Sequence, residues 1–216
     1  VTVPTVDDTI VELNETLPLT IGGATGTGII VDNDKATVVT VEPGQPGPGD
    51  DSVVEGTSLV YTVTLSATTN VPTTYTYSLG GGTASAADYG TAVFSNGVTY
   101  NAATGTITVP AGVSSFTVTV PTVDDTIVEL NETLPLTIGG ATGTGIIVDN
   151  DRATIDTITA GPNGGSVVEG NNLVYTVTLS TATNAPTTYS YSLGGGTASS
   201  ADYGSAVFSN GVTYNA

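Results

Sequence analysis

The chain contains no cysteine, methionine, tryptophan or histidine, only three phenylalanines, and two basic residues against 20 acidic ones. Each absence removes a class of chemistry. Without thiols or imidazoles there is no disulfide framework, no zinc-type site and no Ser–His or Cys–His catalytic pair. Any metal the chain binds must therefore be hard and oxygen-loving. A formal net charge of -18, with no run of Lys or Arg, excludes a nucleic-acid footprint and disfavours anionic membrane surfaces. No run of about 18 apolar residues is present to span a bilayer, and no signal-like segment is evident.

What is present is rich in Val and Thr, with 28 Gly and 11 Pro, the mixture of short strands and tight turns. Charged residues make up 10% of the chain, well below the roughly 25% of average globular proteins. So few charges are not a general solvating coat, and their positions carry information.

Internal repetition organises the chain. Val1 to Asp34 recurs without a change from Val118 to Asp151, and Val53 to Ala102 recurs with substitutions from Val167 to Ala216. The second spacing is three residues shorter, a difference that falls in the Gly/Pro-rich stretch VEPGQPGPGDD and its counterpart ITAGPNGG. Residues 1–34 thus read as the last third of one repeat, 35–151 as a complete repeat and 152–216 as the first two thirds of the next. A period this long means tandem domains, not a solenoid of short units.

Alternating apolar and polar residues predict seven principal strands in the complete repeat. They run from Ala36 to Glu42, Leu59 to Leu65, Thr73 to Leu79, Gly105 to Pro110, Ser114 to Val120, Leu134 to Ile138 and Gly145 to Val148. TAVFSNGVTYN reads as an added hairpin turning at Asn96-Gly97. Tyr61, Tyr75, Tyr77, Tyr89 and Tyr100 are expected in the core and in strand pairs. The fold class is all-β: tandem Ig-like Greek-key β-sandwich domains of about seven strands, a barrel being the alternative.

If successive strands run antiparallel, Glu42, Asp50, Asp51, Glu55, Asp88, Asp124, Asp125, Glu129, Glu132, Asp149 and Asp151 all fall at or near one end of the repeat. The loops of the other end, SATTNVP, PAG and GGATG, contain no acid. Crowded carboxylates cannot all remain ionised without counter-charge, and Lys35 or Arg152 alone cannot supply it. Divalent cations can, and Ca2+ suits a flexible set of oxygen ligands better than Mg2+. The competing readings are a solubility device and a glycosidase carboxylate pair, the latter without Trp or a cleft-building loop.

The motifs VVEG (Val53 to Gly56), ADYG (Ala87 to Gly90), DDTIVELNE (Asp124 to Glu132) and GTGIIVDND (Gly143 to Asp151), in that order, resemble the Calx-β domain. This module is known from sodium/calcium exchangers and from many bacterial surface proteins, including tandem extender repeats of large type I secreted, RTX-type adhesins. The resemblance implies calcium ligands at Glu55, Asp88, Asp124, Asp125, the carbonyl of Ile127, Glu129, Asp149 and Asp151. In the partial repeats it implies Asp7, Asp8, Glu12, Asp32 and Asp34, and Glu169 and Asp202. Asn150 and Thr126 stand where acidic members of the family carry carboxylates, which implies fewer ions per domain.

The function expected on this basis is structural and not enzymatic. A calcium-binding spacer at a bacterial cell surface would be rigidified by Ca2+ at its domain junctions and partnered by neighbouring repeats, with adhesion left to domains outside this chain. A calcium-sensing regulatory module and a module that itself binds protein or carbohydrate are the alternatives.

Overall fold

The computed structural model describes residues 1–44, 51–161 and 164–215. They form strands and turns, and no helix occurs among them. The first partial repeat contributes β1 (Glu15–Ile21) and β2 (Ala24–Ile30). The complete repeat contributes β3 (Val38–Pro43), β4 (Ser52–Val54), β5 (Ser58–Leu65), β6 (Thr73–Leu79), β7 (Val93–Phe94), β8 (Thr99–Asn101), β9 (Thr106–Val109), β10 (Ser115–Pro121), β11 (Glu132–Ile138) and β12 (Ala141–Val148). β13 (Ile155–Ala160) and β14 (Tyr175–Leu179) follow in the last partial repeat. Val1–Ala185 forms one compact unit and Pro186–Ala216 a second. Among the described residues of the second unit no strand forms, but the rings of Tyr191, Phe208 and Tyr214 cluster together.

In the complete repeat two sheets enclose one apolar core, with strand orders β3-β5-β10-β7 and β4-β12-β11-β6-β9-β8. The period of two dictates which side chains go inside. Leu59, Tyr61, Val63 and Leu65 of β5 and Phe116, Val118 and Val120 of β10 face Leu134, Leu136 and Ile138 of β11 and Ile107 and Val109 of β9. Each such side chain stabilises the fold by about 1.5–3 kcal/mol relative to exposure. Two tyrosine hydroxyls that enter the core are satisfied: Tyr61 donates to the carbonyl of Leu134 across the two sheets, and Tyr75 to that of Ala36 at 3.0 Å. Two glycines let β12 close on the other sheet. A Cβ at Gly143 would lie 2.1 Å from the Val41 carbonyl oxygen, and one at Gly145 would lie 2.3 Å from the Leu59 side chain.

The seven principal strands lie where the alternation predicts them, with ends displaced by a few residues. Three features differ. β4 is an additional strand, pairing in parallel with the end of β12 from Ser52↔Ile146 to Val54↔Val148; three residues are too few to display alternation. The turn of the expected hairpin does form, with φ of 55° at Asn96 and 71° at Gly97 and a 3.1 Å bond from Val98 N–H to Ser95 O. Its two limbs, however, do not pair with each other. β7 joins β10 and β8 joins β9, so the limbs enter opposite sheets. Both of those edges were open, and the rings of Tyr77, Phe94 and Tyr100, with centroids 4.8–6.4 Å apart, pack at the point of divergence. Tyr100, expected in the core or in a strand pair, pairs with Ile107 and is 46% exposed there. The central stretch of the Gly/Pro-rich segment, including Asp50, lies outside the described residues.

The hairpins β1–β2 and β11–β12 have one sequence and one register, Glu15↔Ile30 matching Glu132↔Ile147. Yet Leu17 and Leu19 are 43–44% exposed where Leu134 and Leu136 are fully buried. Truncating the same residue in the two settings separates packing from local propensity. Leu136→Ala should destabilise the chain by about 2–5 kcal/mol, and Leu19→Ala by well under half of that. Urea unfolding followed by tyrosine fluorescence gives both values, and equal losses would contradict the burial described.

Candidate metal centre

The acidic end of the complete repeat is assembled by backbone pairing before any side chain acts. Pairing of β4 with β12 continues into the loop, where the Glu55 N–H donates to the Val148 carbonyl at 3.1 Å. That contact brings Glu55 beside Asp149 and Asp151, far away in sequence. The chain then turns at Gly56, whose φ of +76° is open to glycine without strain. A side chain there would also meet Asp124, since a Cβ would lie 2.9 Å from the Asp124 Cβ. Thr122, nearly fully buried, fixes the DDTIVELNE loop on this turn by donating its N–H to the Thr57 carbonyl at 2.9 Å and its hydroxyl to the same oxygen at 2.5 Å.

Among the described residues, two groups of three carboxylates result. In each, Glu55 with Asp149 and Asp151, and Asp88 with Glu129 and Glu132, one oxygen per residue lies within 4.8 Å of the others. Ligands on opposite sides of a Ca2+ ion, each at roughly 2.3–2.6 Å, are separated by about that distance, so every such set can close on one ion. In the first group Asp149 Oδ1 and Asp151 Oδ2 are buried and accept no hydrogen bond. A buried carboxylate oxygen without a donor is costly unless a cation meets it. The donor chemistry is all oxygen, as a hard divalent ion requires.

Asn150 has a role that its lack of charge does not suggest. It adds no charge between Asp149 and Asp151 but supplies two donors, its N–H to Glu55 Oε1 and its Nδ2 to Asp124 Oδ1, both at 3.0 Å. Burial raises the Glu55 carboxyl above its usual range, a rise that Asn150 opposes and Asp149 and Asp151 reinforce. Asp151 is likewise raised, by burial and then by Asp149, Asp125 and Asp124. In the second group burial, with Asp88 and Glu129 adding repulsion, pushes Glu132 up to about 7. Asp88 is oriented by the Ser85 N–H, which donates to its Oδ2 at 2.6 Å.

Of the residues expected as ligands, the structure brings together Glu55, Asp149 and Asp151, and Asp88 and Glu129. Asp124 and Asp125 stand beside the first group without joining either triplet, the former held by Asn150 and the latter accepting the Ile127 N–H at 2.7 Å. Ile127 is thus fixed through its N–H. Glu132 is the member the carried-over pattern left out; its signal is that it closes the acidic loop as the first residue of β11, three positions after Glu129. Glu42 and Asp51 belong to neither group. Glu42 pairs with Thr62 inside a sheet, and the Asp51 carbonyl accepts the Ile146 N–H.

The partial repeats reproduce pieces of this arrangement. Asn33 Nδ2 donates to Asp7 at 3.2 Å and the Ile10 N–H to Asp8 at 2.8 Å, matching Asn150–Asp124 and Ile127–Asp125. Asp34 is raised by the little burial it has and by Asp32, Asp7, Asp8 and Glu12. Glu169 is exposed, and Asp202 accepts the N–H and hydroxyl of Ser199, which lower its pKa. None of these seven residues belongs to a triplet among the described residues.

No protein-family model matches the chain. No curated protein matches it either. Among solved structures it is similar to the surface layer protein SbsC, domains 1-6, at 16% identity and a TM-score of 0.32, over 71% of this chain and 19% of that one. It is similar also to the S-layer protein rSbsC(31-844), at 15% identity and a TM-score of 0.31, over 73% of this chain and 23% of that one. The chain thus spans about a fifth of each, and no functional statement follows from likeness at this level.

Because Glu132 takes up its proton near pH 7 when folded and near 4.5 as an ordinary side chain, the folded state holds more protons between those values. Stability of the cation-free protein should therefore fall as pH rises through that window. Melting temperatures between pH 4 and 8 in chelator check this, and Glu132→Gln should flatten the decline.

Proposed function

We propose that the complete repeat is a calcium-binding structural module, an Ig-like Greek-key sandwich used as a spacer in a cell-surface adhesin. The observation that carries the calcium reading is the pair of buried, donor-free oxygens of Asp149 and Asp151 beside Glu55. In this reading Glu55, Asp149 and Asp151 hold one ion and Asp88, Glu129 and Glu132 another. The bound ion supplies positive charge that the chain itself lacks. The residues around it do the rest: Asn150 orients Glu55, Thr122 anchors the loop, and Gly56 permits the approach.

The spacer reading rests on repetition. Identical acidic loops recur at Asp7 to Glu15 and Asp124 to Glu132, and the loop of each stands next to the start of the following repeat. A sensor calls for one tuned site, whereas a spacer uses many equivalent ones, and a calcium ion that orders the loop stiffens the junction it belongs to. Adhesion itself belongs, in this proposal, to domains beyond this chain, and the surface of an exporting bacterium is the compartment where millimolar calcium would keep the sites filled.

Thermal unfolding of the whole chain in calcium, in magnesium and in chelator tests the proposal. Calcium should raise the melting temperature of the intact chain, by an amount that grows with concentration as the linkage term requires, and magnesium should do so far less. Asp149→Asn with Asp151→Asn should remove most of the calcium response while raising stability in chelator. Superimposable curves in all three solutions would leave the acidic end as a solubility feature.

A further inference from the structure

Two places where one repeat meets the next carry the same set of contacts, and they involve the end of the repeat that has no acids. At the first, Val11 bridges in parallel to Thr69, the Asn70 N–H donates to the Val11 carbonyl at 2.7 Å, and Asn70 Nδ2 donates to Glu12 Oε1 at 2.8 Å. At the second, Val128 bridges in parallel to Thr183, the Asn184 N–H donates to the Val128 carbonyl at 2.7 Å, and Asn184 Nδ2 donates to Glu129 Oε1 at 2.9 Å. The acidic loop of one copy is thus received by the SATTNVP loop, or its counterpart STATNAP, of the following copy.

We propose that these loops form a specific clasp, in which Thr-Asn of one repeat reads Val-Glu of its predecessor, and that its partner surface is always a further copy of this repeat. The copies themselves supply an independent argument. Between SATTNVP and STATNAP the residues at 67, 68 and 71 differ from those at 181, 182 and 185, while Thr69-Asn70 and Thr183-Asn184 are retained. Charge complementarity supplies another, since a neutral amide donor meets the acidic loop where a carboxylate would repel it. At the second junction the clasp shares Glu129 with the Asp88, Glu129 and Glu132 group.

The two clasps differ in strength: at the second, the Val128 N–H also donates to the Ala182 carbonyl at 3.2 Å and the Ala185 N–H to the Val128 carbonyl at 3.1 Å. Thr181 donates its hydroxyl to the Thr126 carbonyl, while the counterpart Ala67 has no hydroxyl to give. The second junction should accordingly hold more firmly than the first.

Amide hydrogen exchange on the full chain, in calcium and in chelator, tests the clasp. The amides of Asn70, Val128, Asn184 and Ala185 should be protected in both solutions. Asn184→Asp sets a carboxylate against Glu129 and should speed exchange at Val128, Asn184 and Ala185 by about tenfold or more, an effect of the size of one charged hydrogen bond, with Asn70 unchanged. Asn70→Asp should do the reverse, and Thr181→Ala should narrow the difference between the two junctions without abolishing it, since Val128 and Ala185 keep their backbone bonds. Core amides of β11 report whether either variant has lost its fold. Protection absent from the parent chain in both solutions, or unaffected by both Asp variants, would overturn the clasp. A clasp that persists in a chain whose stability ignores calcium would sink the calcium proposal alone.

Discussion

Repulsion between carboxylates confined to one end of a small β domain is the constraint to which the other features answer. Eleven acidic side chains occur between Lys35 and Asp151, and the packed strands gather most of them into a few loops. Solvent cannot fully screen oxygens that lie within 4.8 Å of one another and are partly buried. The chain meets this with fixed N–H donors. Asn150 gives two, Ser85 gives one, and Asn184 of the next repeat gives one to Glu129. What donors leave unmet, the raised Glu132 and the bare oxygens of Asp149 and Asp151, is what a cation would answer.

The strands were legible because burial on one face imposes a strict period, and Leu59 to Leu65 or Ser115 to Pro121 can satisfy it in only one register. The gathering of acids at one end followed from counting strands. Features that depend on edges were not legible. Nothing in Val93-Phe94 or Thr99 to Asn101 says which sheet each limb will extend, because a type I′ turn is compatible with either outcome. Ser52 to Val54 is visible as a strand only through β12, which lies some ninety residues on. At the site, Glu55, Asp149 and Asp151 could be named from motif order, but the place of Glu132 depends on how β11 starts. Asn150 could be seen only as a missing charge, not as a donor.

One hairpin sequence occurs in two settings, with and without a sheet packed against it. β1–β2 keeps the register of β11–β12 although its leucines are half exposed. The threonine hydroxyls at 20 and 25 meet at 2.7 Å, as those at 137 and 142 do at 2.8 Å.

The parallel pairing of β4 with β12 has a mechanical meaning. β3 enters the repeat at the acid-free end and β12 leaves it at the acidic end, so a pull on the two ends runs along the strands. Bonds between β4 and β12 then lie across the direction of load and are strained simultaneously, unlike those of a hairpin opened from its tip, which break in succession. A repeat built this way resists extension through collective rupture, and its yield point is set by the number of rungs that must fail together.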